Sequence, residues 1–246
     1  MSAAPYRDVH YPLNVFMHIL THEEGSVPAL HYGFFDRGDE SMREAQESAT
    51  AMLITRLPPV PARILDAGSG VGSTLARLTT LGYDIEGITP DAQQVDIIRA
   101  RYADRVRVHC TRFEDMTPAP FDTIVFQESS QYIDSQALFA KAREMTSHVI
   151  VFDEFAMEPA TLHSYDGFLR AAADHGFDKV EEIDVTKVAA PTIDYFNQRF
   201  ERYRAMLIHD LGITPDQIDT LIRLGRENRD RYARGSYVYR VMQFRR

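Results

Sequence analysis

Apolar residues recur along this chain with two periods, and the changes from one period to the other outline its elements. Leu13, Phe16, Met17 and Leu20 share one helical face. Met42, Ala45, Ala49, Met52, Leu53 and Leu57 repeat at the same spacing until Pro58, Pro59 and Pro61 stop them. Short apolar runs then alternate with helical stripes. Ile64 and Leu65 read as a first strand, and Leu75, Ala76 and Leu78 begin a helix. Residues 85–88 form a second strand, and Pro90-Asp91 opens a helix carrying Val95, Ile97, Ile98 and Tyr102. Further strands are expected over 106–110, 121–126, 148–152 and 177–185, with helices over 137–145 and 162–175 between them. Asp153 and Glu154 fall at the end of the fifth strand. Ala189-Ala190-Pro191-Thr192 interrupts the alternation, and two amphipathic helices follow over 193–211 and 215–232. Residues 237–244 alternate strictly, which suits a terminal antiparallel strand. The pattern predicts an α/β fold: a right-handed, mostly parallel sheet of seven strands covered on both faces, its last strand reversed, with a helical cap.

The stretch 62–74, Ala-Arg-Ile-Leu-Asp-Ala-Gly-Ser-Gly-Val-Gly-Ser-Thr, is where chemistry enters, because a strand feeds a glycine turn that opens a helix. Gly68, Gly70 and Gly72 let the backbone bend and approach a ligand with no Cβ in the way, and Ser73 or Thr74 is placed to cap the helix. A dinucleotide fingerprint wants G-x-G-x-x-G, with an acid about 20 residues further on for the ribose. Here the third glycine comes one residue early and the next strand closes on Thr89, so an NAD-dependent oxidoreductase is disfavoured. Ligands of open α/β sheets bind at the carboxyl ends of strands. The fourth strand ends there in Gln127-Glu128-Ser129-Ser130-Gln131-Tyr132, which makes Glu128 the best-placed candidate base. Asp153, Glu154 and Glu128 are also oxygen donors of the kind Mg²⁺ takes, but acids at strand ends are common and no metal site is expected.

Composition narrows the partners. The chain has 246 residues, 44% of them hydrophobic and 26% charged, enough for one globular domain. Its net charge of −9 argues against a nucleic-acid partner, since phosphate binding needs a clustered positive surface. The single cysteine, Cys110, excludes an internal disulfide and fits a cytoplasmic location. No leader and no membrane insertion are expected: residues 9–20 are broken by His10, Pro12, Asn14 and His18, and no run approaches the roughly 18 apolar residues of a span.

Read as D-x-G-x-G-x-G, the residues Asp66, Gly68, Gly70 and Gly72 resemble the first motif of class I S-adenosylmethionine (SAM) dependent methyltransferases, and the resemblance covers most of the chain. It implies a Rossmann-like sheet with the reversed strand tucked between the fifth and sixth. It also implies a single domain over 1–246, with an N-terminal helical entrance segment (1–57) and a helical insertion (189–235) before the last strand. SAM is the implied cofactor, with Tyr32, Asp66, Gly68, Ser69, Gly70, Thr89, Gln94, Phe113, Glu114 and Gln127 as its site. In the family the glycines make room for the amino-acid end of the cofactor and the strand-end acid orients it. Gly87-Ile88-Thr89 with Gln94 resembles the cyclopropane synthase variant, in which Thr and Gln stand where the ribose-binding acid is usual, and a tyrosine at the place of Tyr32 touches the methionine portion. The entrance segment also resembles that of tocopherol methyltransferases. Phe113 is placed to lie on the adenine, and Glu114 or Asp115 to accept from its amino group. Glu-Ser-Ser-Gln-Tyr at 128–132 resembles Glu-Ser-Thr-x-Tyr of terpenoid carbon methyltransferases, where that Glu removes a proton, whereas Gln131 stands near the bicarbonate-binding Glu of cyclopropane synthases and argues against their reaction.

The resulting expectation is a methyltransferase acting on a small, partly apolar metabolite at carbon, nitrogen or oxygen, with Glu128, Tyr132 and His31 as its catalytic candidates. The stripes of the late helices read first as core packing; the insertion is also placed to fold over the site as a lid, with Tyr195, Phe196, Arg199 and Tyr203 facing the pocket, or to make a homodimer face. The rivals are a non-catalytic SAM-binding regulatory module and, behind it, the NAD-dependent oxidoreductase.

Overall fold

The computed structural model describes residues 6–158 and 163–246, so Leu162, at the start of one expected helix, lies outside the described residues. The chain divides into two compact units: Met1–Ala49 with Lys187–Gly235, and Thr50–Thr186 with Ser236–Arg246.

The second unit is built on a seven-stranded sheet in the order β3-β2-β1-β4-β5-β7-β6. Its strands are β1 (Arg63–Ala67), β2 (Asp84–Thr89), β3 (Arg107–Cys110), β4 (Thr123–Gln127), β5 (His148–Ala156), β6 (Asp178–Asp184) and β7 (Tyr237–Arg245). The first five pair in parallel, and β7 runs antiparallel to both β5 and β6. Every residue of β4 is buried, and β1 and β5 are almost as fully enclosed. Parallel strands covered on both faces carry such continuous apolar runs. Edge strand β6 is exposed or half-buried throughout.

The helices of this unit are α3 (Ser73–Thr80), α4 (Ala92–Tyr102), α5 (Ser135–Ala142) and α6 (Tyr165–Asp174). Phe139 of α5 meets the rings of Phe168, Phe177 and Phe244 at centroid distances of 5.0, 5.5 and 5.3 Å, which ties two helices to the sheet. Strand order reverses between β1 and β4, since the chain fills β2 and β3 on one side and then crosses to β4 on the other. Such a switch point opens a crevice at the carboxyl ends of the two strands.

Several boundaries differ from the sequence expectation for identifiable reasons. β5 continues to Ala156 because β7 pairs with it along the whole register from His148↔Arg245 to Ala156↔Tyr237, so Asp153 and Glu154 lie inside the strand. α5 begins at Ser135 because the Asp134 side chain accepts from Ala137 N, and it ends at Ala142. The expected helix over 193–211 is split at Tyr203.

The first unit contains α1 (Leu13–Glu24), α8 (Pro191–Arg202), α9 (Arg204–Leu211) and α10 (Pro215–Ala233). The short α7 (Thr186–Ala189) begins at its boundary, and α2 (Met42–Ile54) passes from one unit to the other after Ala49. α10 starts on a capping box in which Thr214 and Gln217 each accept from the other's backbone N–H. Phe16 of α1 packs edge-on against Phe196 and Phe200. Glu23 pairs with Arg199 and accepts from the Tyr203 hydroxyl, and the Arg199 guanidinium lies 3.5 Å from the Tyr195 ring centre. Tyr195, Phe196, Arg199 and Tyr203 are engaged with α1 and with one another, as the packing reading of these stripes expects. No described helix is long and apolar enough to cross a membrane.

Candidate active site

The turn after β1 is held open by glycines and closed by hydrogen bonds. Gly68, Gly70 and Gly72 have φ of +91°, +54° and +78°, a region that L side chains rarely adopt. Gly68 N and Ser69 N both donate to the Ile88 carbonyl, at 2.9 and 3.0 Å, and the Ser69 hydroxyl donates to the Asp66 carbonyl at 3.0 Å. A Cβ on Gly68 would stand 2.3 Å from Ser129 Cβ, so β1 and the loop after β4 touch at this point. Ser129 reinforces the approach by donating to the Ala67 carbonyl. Across the turn, a Cβ on Gly87 would meet Ser69 Oγ at 2.4 Å.

The Asp66 carboxylate ends β1 in this cradle. It is 2% exposed, its Oδ2 has no hydrogen-bond partner, and burial pushes its pKa up to about 6 against the opposing pull of Ser69. A buried carboxylate oxygen without a donor costs free energy that a ligand's ammonium or hydroxyl would recover. The glycine cradle and this orphaned oxygen fit the amino-acid end of SAM.

The expected helix cap takes another form. Gly72 is the N-cap residue and no side chain caps α3. The Thr74 hydroxyl donates instead to Gln127 Oε1 at 2.9 Å, linking the helix to the end of β4, and Ser73 Oγ is buried with no partner. At the end of β2, Thr89 donates to Gln94 Oε1 at 2.7 Å, and Asp91 caps α4 by accepting from Gln93 N and Gln94 N. This bond engages the Gln94 carbonyl and leaves its amide N–H groups to donate elsewhere. Phe113 is 3% exposed and packs edge-on against Phe126 in the core, and Glu114 accepts from Arg112 at 2.8 Å. Glu86, just before Gly87, is taken up by Arg63 at 2.7 Å.

The loop after β4 carries the carboxylate expected to act on the acceptor. Glu128 has φ +57°, unusual for a residue with a side chain, and its N–H donates to the Phe152 carbonyl at 2.7 Å. Glu128 Oε1 accepts from the Tyr239 hydroxyl at 2.8 Å. Two residues on, the Ser130 hydroxyl and Gln131 N donate to Asp153 Oδ2 at 2.6 and 3.1 Å, while Glu154 N donates to Oδ1 at 2.9 Å. Asp153 is fully buried, and burial pushes its pKa up to about 7. These bonds make it an anchor of the loop, and among the described residues no group of three His, Cys, Asp or Glu side chains is arranged to hold a metal ion. Tyr132 is 77% exposed.

His31 and Tyr32 belong to the other unit. There the Gln46 amide clamps their segment, accepting from Ala29 N and donating to the carbonyls of Ala29 and His31. The Gly33 backbone exchanges hydrogen bonds with Thr192 Oγ1. His31 is 8% exposed and burial lowers its pKa to about 4, so its imidazole is neutral at neutral pH.

Tyr239 and the anchoring role of Asp153 were not anticipated. Tyr239 lies on one face of the alternating terminal strand, where it is indistinguishable from a core aromatic. The only signal was the polar tip of a side chain at a position that alternation buries.

The switch-point crevice, the glycine cradle and the buried strand-end acid make a ligand site at the carboxyl ends of β1 and β4. Residues 64–149 match the family model described as a methyltransferase domain. The chain is 27% identical over 122 residues to magnesium-protoporphyrin O-methyltransferase of Rhodobacter capsulatus, a match covering 46% of this chain and 54% of that one. It thus spans about half the length of that relative. It is 24% identical over 211 residues to (+)-O-methylkolavelool synthase of Herpetosiphon aurantiacus, covering 73% and 74% of the two chains. The fold matches mycolic acid cyclopropane synthase CmaA1, crystallised with SAH, with a TM-score of 0.81 at 17% identity over 99% of both chains. The mostly parallel sheet with its reversed strand and the methyltransferase-domain match over 64–149 agree with the sequence reading.

Proposed function

We propose that this chain transfers the methyl group of SAM to a small, partly apolar metabolite, with Glu128 receiving the proton that the attacking atom gives up. When bound, SAM supplies an electrophilic methyl on a sulfonium. The chain then has to hold the acceptor in line with that methyl and keep water away. The observation that carries this reading is the contact between Gly68 and Ser129, which brings the cofactor turn against the loop that bears Glu128.

Asp66 and the glycine cradle would hold the amino-acid end of the cofactor, and the Thr89–Gln94 pair would read its ribose through neutral groups. Phe113 and Glu114 would border the adenine, and Ser69 and Gln127 brace the turn around it. Glu128 and Glu154 put negative charge beside the acceptor end, which supports a neutral or amine-bearing acceptor over a diphosphate. Both relatives are named for O-methylation, so oxygen acceptors come first. Tyr132 would contact the acceptor. The acidic net charge supports a small molecule over a nucleic acid, and the single cysteine supports a cytoplasmic setting. A homodimer face on the late helices is part of the same reading.

Calorimetric titration with S-adenosylhomocysteine tests the cofactor end. Wild type is expected to bind, and Asp66→Ala to lose about a hundredfold in affinity. Tracing of isotope-labelled methyl into extracted metabolites then identifies the acceptor. On that acceptor Glu128→Gln is expected to lose about 10²–10⁴ in rate with S-adenosylhomocysteine affinity intact. An unchanged rate overturns the base assignment. Heat of binding with no methyl transfer to any acceptor would mark a regulatory SAM-binding module, and absence of heat beside tight NADH binding would restore the oxidoreductase.

A further inference from the structure

β7 contributes more than a closing strand. Its Tyr239 is 1% exposed, and its backbone is fixed on both sides, the N–H donating to Thr186 Oγ1 at 2.9 Å and the carbonyl accepting from Val185 N at 3.1 Å. The ring is enclosed in the fold with its backbone held in register. Its hydroxyl ends 2.8 Å from Glu128 Oε1, 111 residues away in sequence.

Glu128 is also held at its backbone, by the bond from its N–H to the Phe152 carbonyl and by a left-handed conformation that costs a side-chain-bearing residue about 1–2 kcal/mol. Strain of this kind persists only where the surroundings over-determine it, and it clusters at functional sites. A carboxylate required only for packing or solubility needs neither the strained backbone nor a buried phenol aimed at its oxygen.

We infer that Tyr239 is the positioning residue of Glu128: its hydroxyl fixes the direction of the carboxylate and sets how readily that carboxylate takes up a proton. The inference rests on the reading of Glu128 as the base. A hydrogen bond donated to the ionised form favours that form, so Tyr239 holds Glu128 ready to accept a proton at a lower pH than it otherwise would. The reversed strand thereby becomes part of the catalytic apparatus, since it carries the hydroxyl to the end of β4.

The test needs no knowledge of the acceptor. Glutamate labelled with ¹³C at Cδ is incorporated, the Glu128 signal is assigned by its loss in Glu128→Gln, and its titration is followed in wild type and in Tyr239→Phe. The midpoint is expected to rise by about one pH unit or more in Tyr239→Phe, the size of a charge-assisted hydrogen bond. An unchanged midpoint in a folded variant overturns the inference. Should Tyr239→Phe not fold, replacing tyrosine by 3-fluorotyrosine strengthens the phenol as a donor and is expected to lower the midpoint, and no movement there is equally fatal. Once the acceptor is known, the acid limb of the rate profile should move with the Glu128 midpoint, which a merely structural tyrosine would not cause. Full turnover in Glu128→Gln would remove the base reading and leave the Tyr239-dependent titration standing, so the two failures are distinguishable.

Discussion

Asp66 is an expensive residue to bury, and its cost varies with pH. Its pKa rises from 3.8 to about 6 in the fold, so the folded chain binds that proton more tightly than the unfolded chain does. The resulting stability is fully present below about pH 4 and is lost as pH rises through 6. The gap is worth about 3 kcal/mol. Without cofactor, Asp66→Asn is therefore expected to gain on wild type by about that amount between pH 4 and pH 8, in denaturant titrations run at both. A constant difference between the two proteins would show that the carboxylate is solvated after all. Asp66 and Glu128 were legible before any coordinates, because each stands where a strand ends and ligands of open α/β sheets bind. Asp153 was legible only as an acid. Its burial follows from how far β7 pairs along β5, a non-local fact that no local pattern carries.

At the scale of elements, the glycine turn shows what the packing of two strand ends demands. Ala at position 68 would face both a φ of +91° and a Cβ 2.3 Å from Ser129 Cβ. At Gly25, with φ +74° after α1, nothing lies within 4 Å. Urea unfolding should therefore separate the two costs: about 1 kcal/mol for Gly25→Ala, from conformation alone, and about 2–4 kcal/mol for Gly68→Ala, from conformation and overlap together. Equal losses would mean that the loop after β4 yields without cost. Among the described residues periodicity located every strand and nearly every helix, since hydrophobic alternation is a local property. It missed the division of 193–211, where Tyr203 has φ −102° and ψ 13° and no proline or glycine marks the break. It also expected Ser73 or Thr74 to cap α3, although Thr74 has a better partner in Gln127, 53 residues away.

For the molecule as a whole, the pattern of alternating elements held because each strand–helix pair buries its own apolar face. The sequence sets aside 1–57 and 189–235 as helical additions to a single domain, and the structure groups Met1–Ala49 with Lys187–Gly235 as one of two compact units. Where those additions turn their side chains was not legible, because an amphipathic stripe reports that a face is buried and not against what. A net charge of −9 has its own consequence at this scale. Transfer RNA is expected to leave the protein unretained in a filter-binding assay even at about 50 mM salt, where phosphate attraction is strong. Salt-sensitive retention would reveal a basic patch that the net charge conceals.

The position of β7 in the sheet also orders events in time. β6 is made first, yet it touches no strand except β7, and β7 is completed only when residue 245 has been added. During synthesis β6 is thus a strand with nothing to pair with, and Glu128 lacks its hydroxyl partner. A chain cut short before residue 239 carries the whole glycine turn and no Tyr239 hydroxyl to meet Glu128.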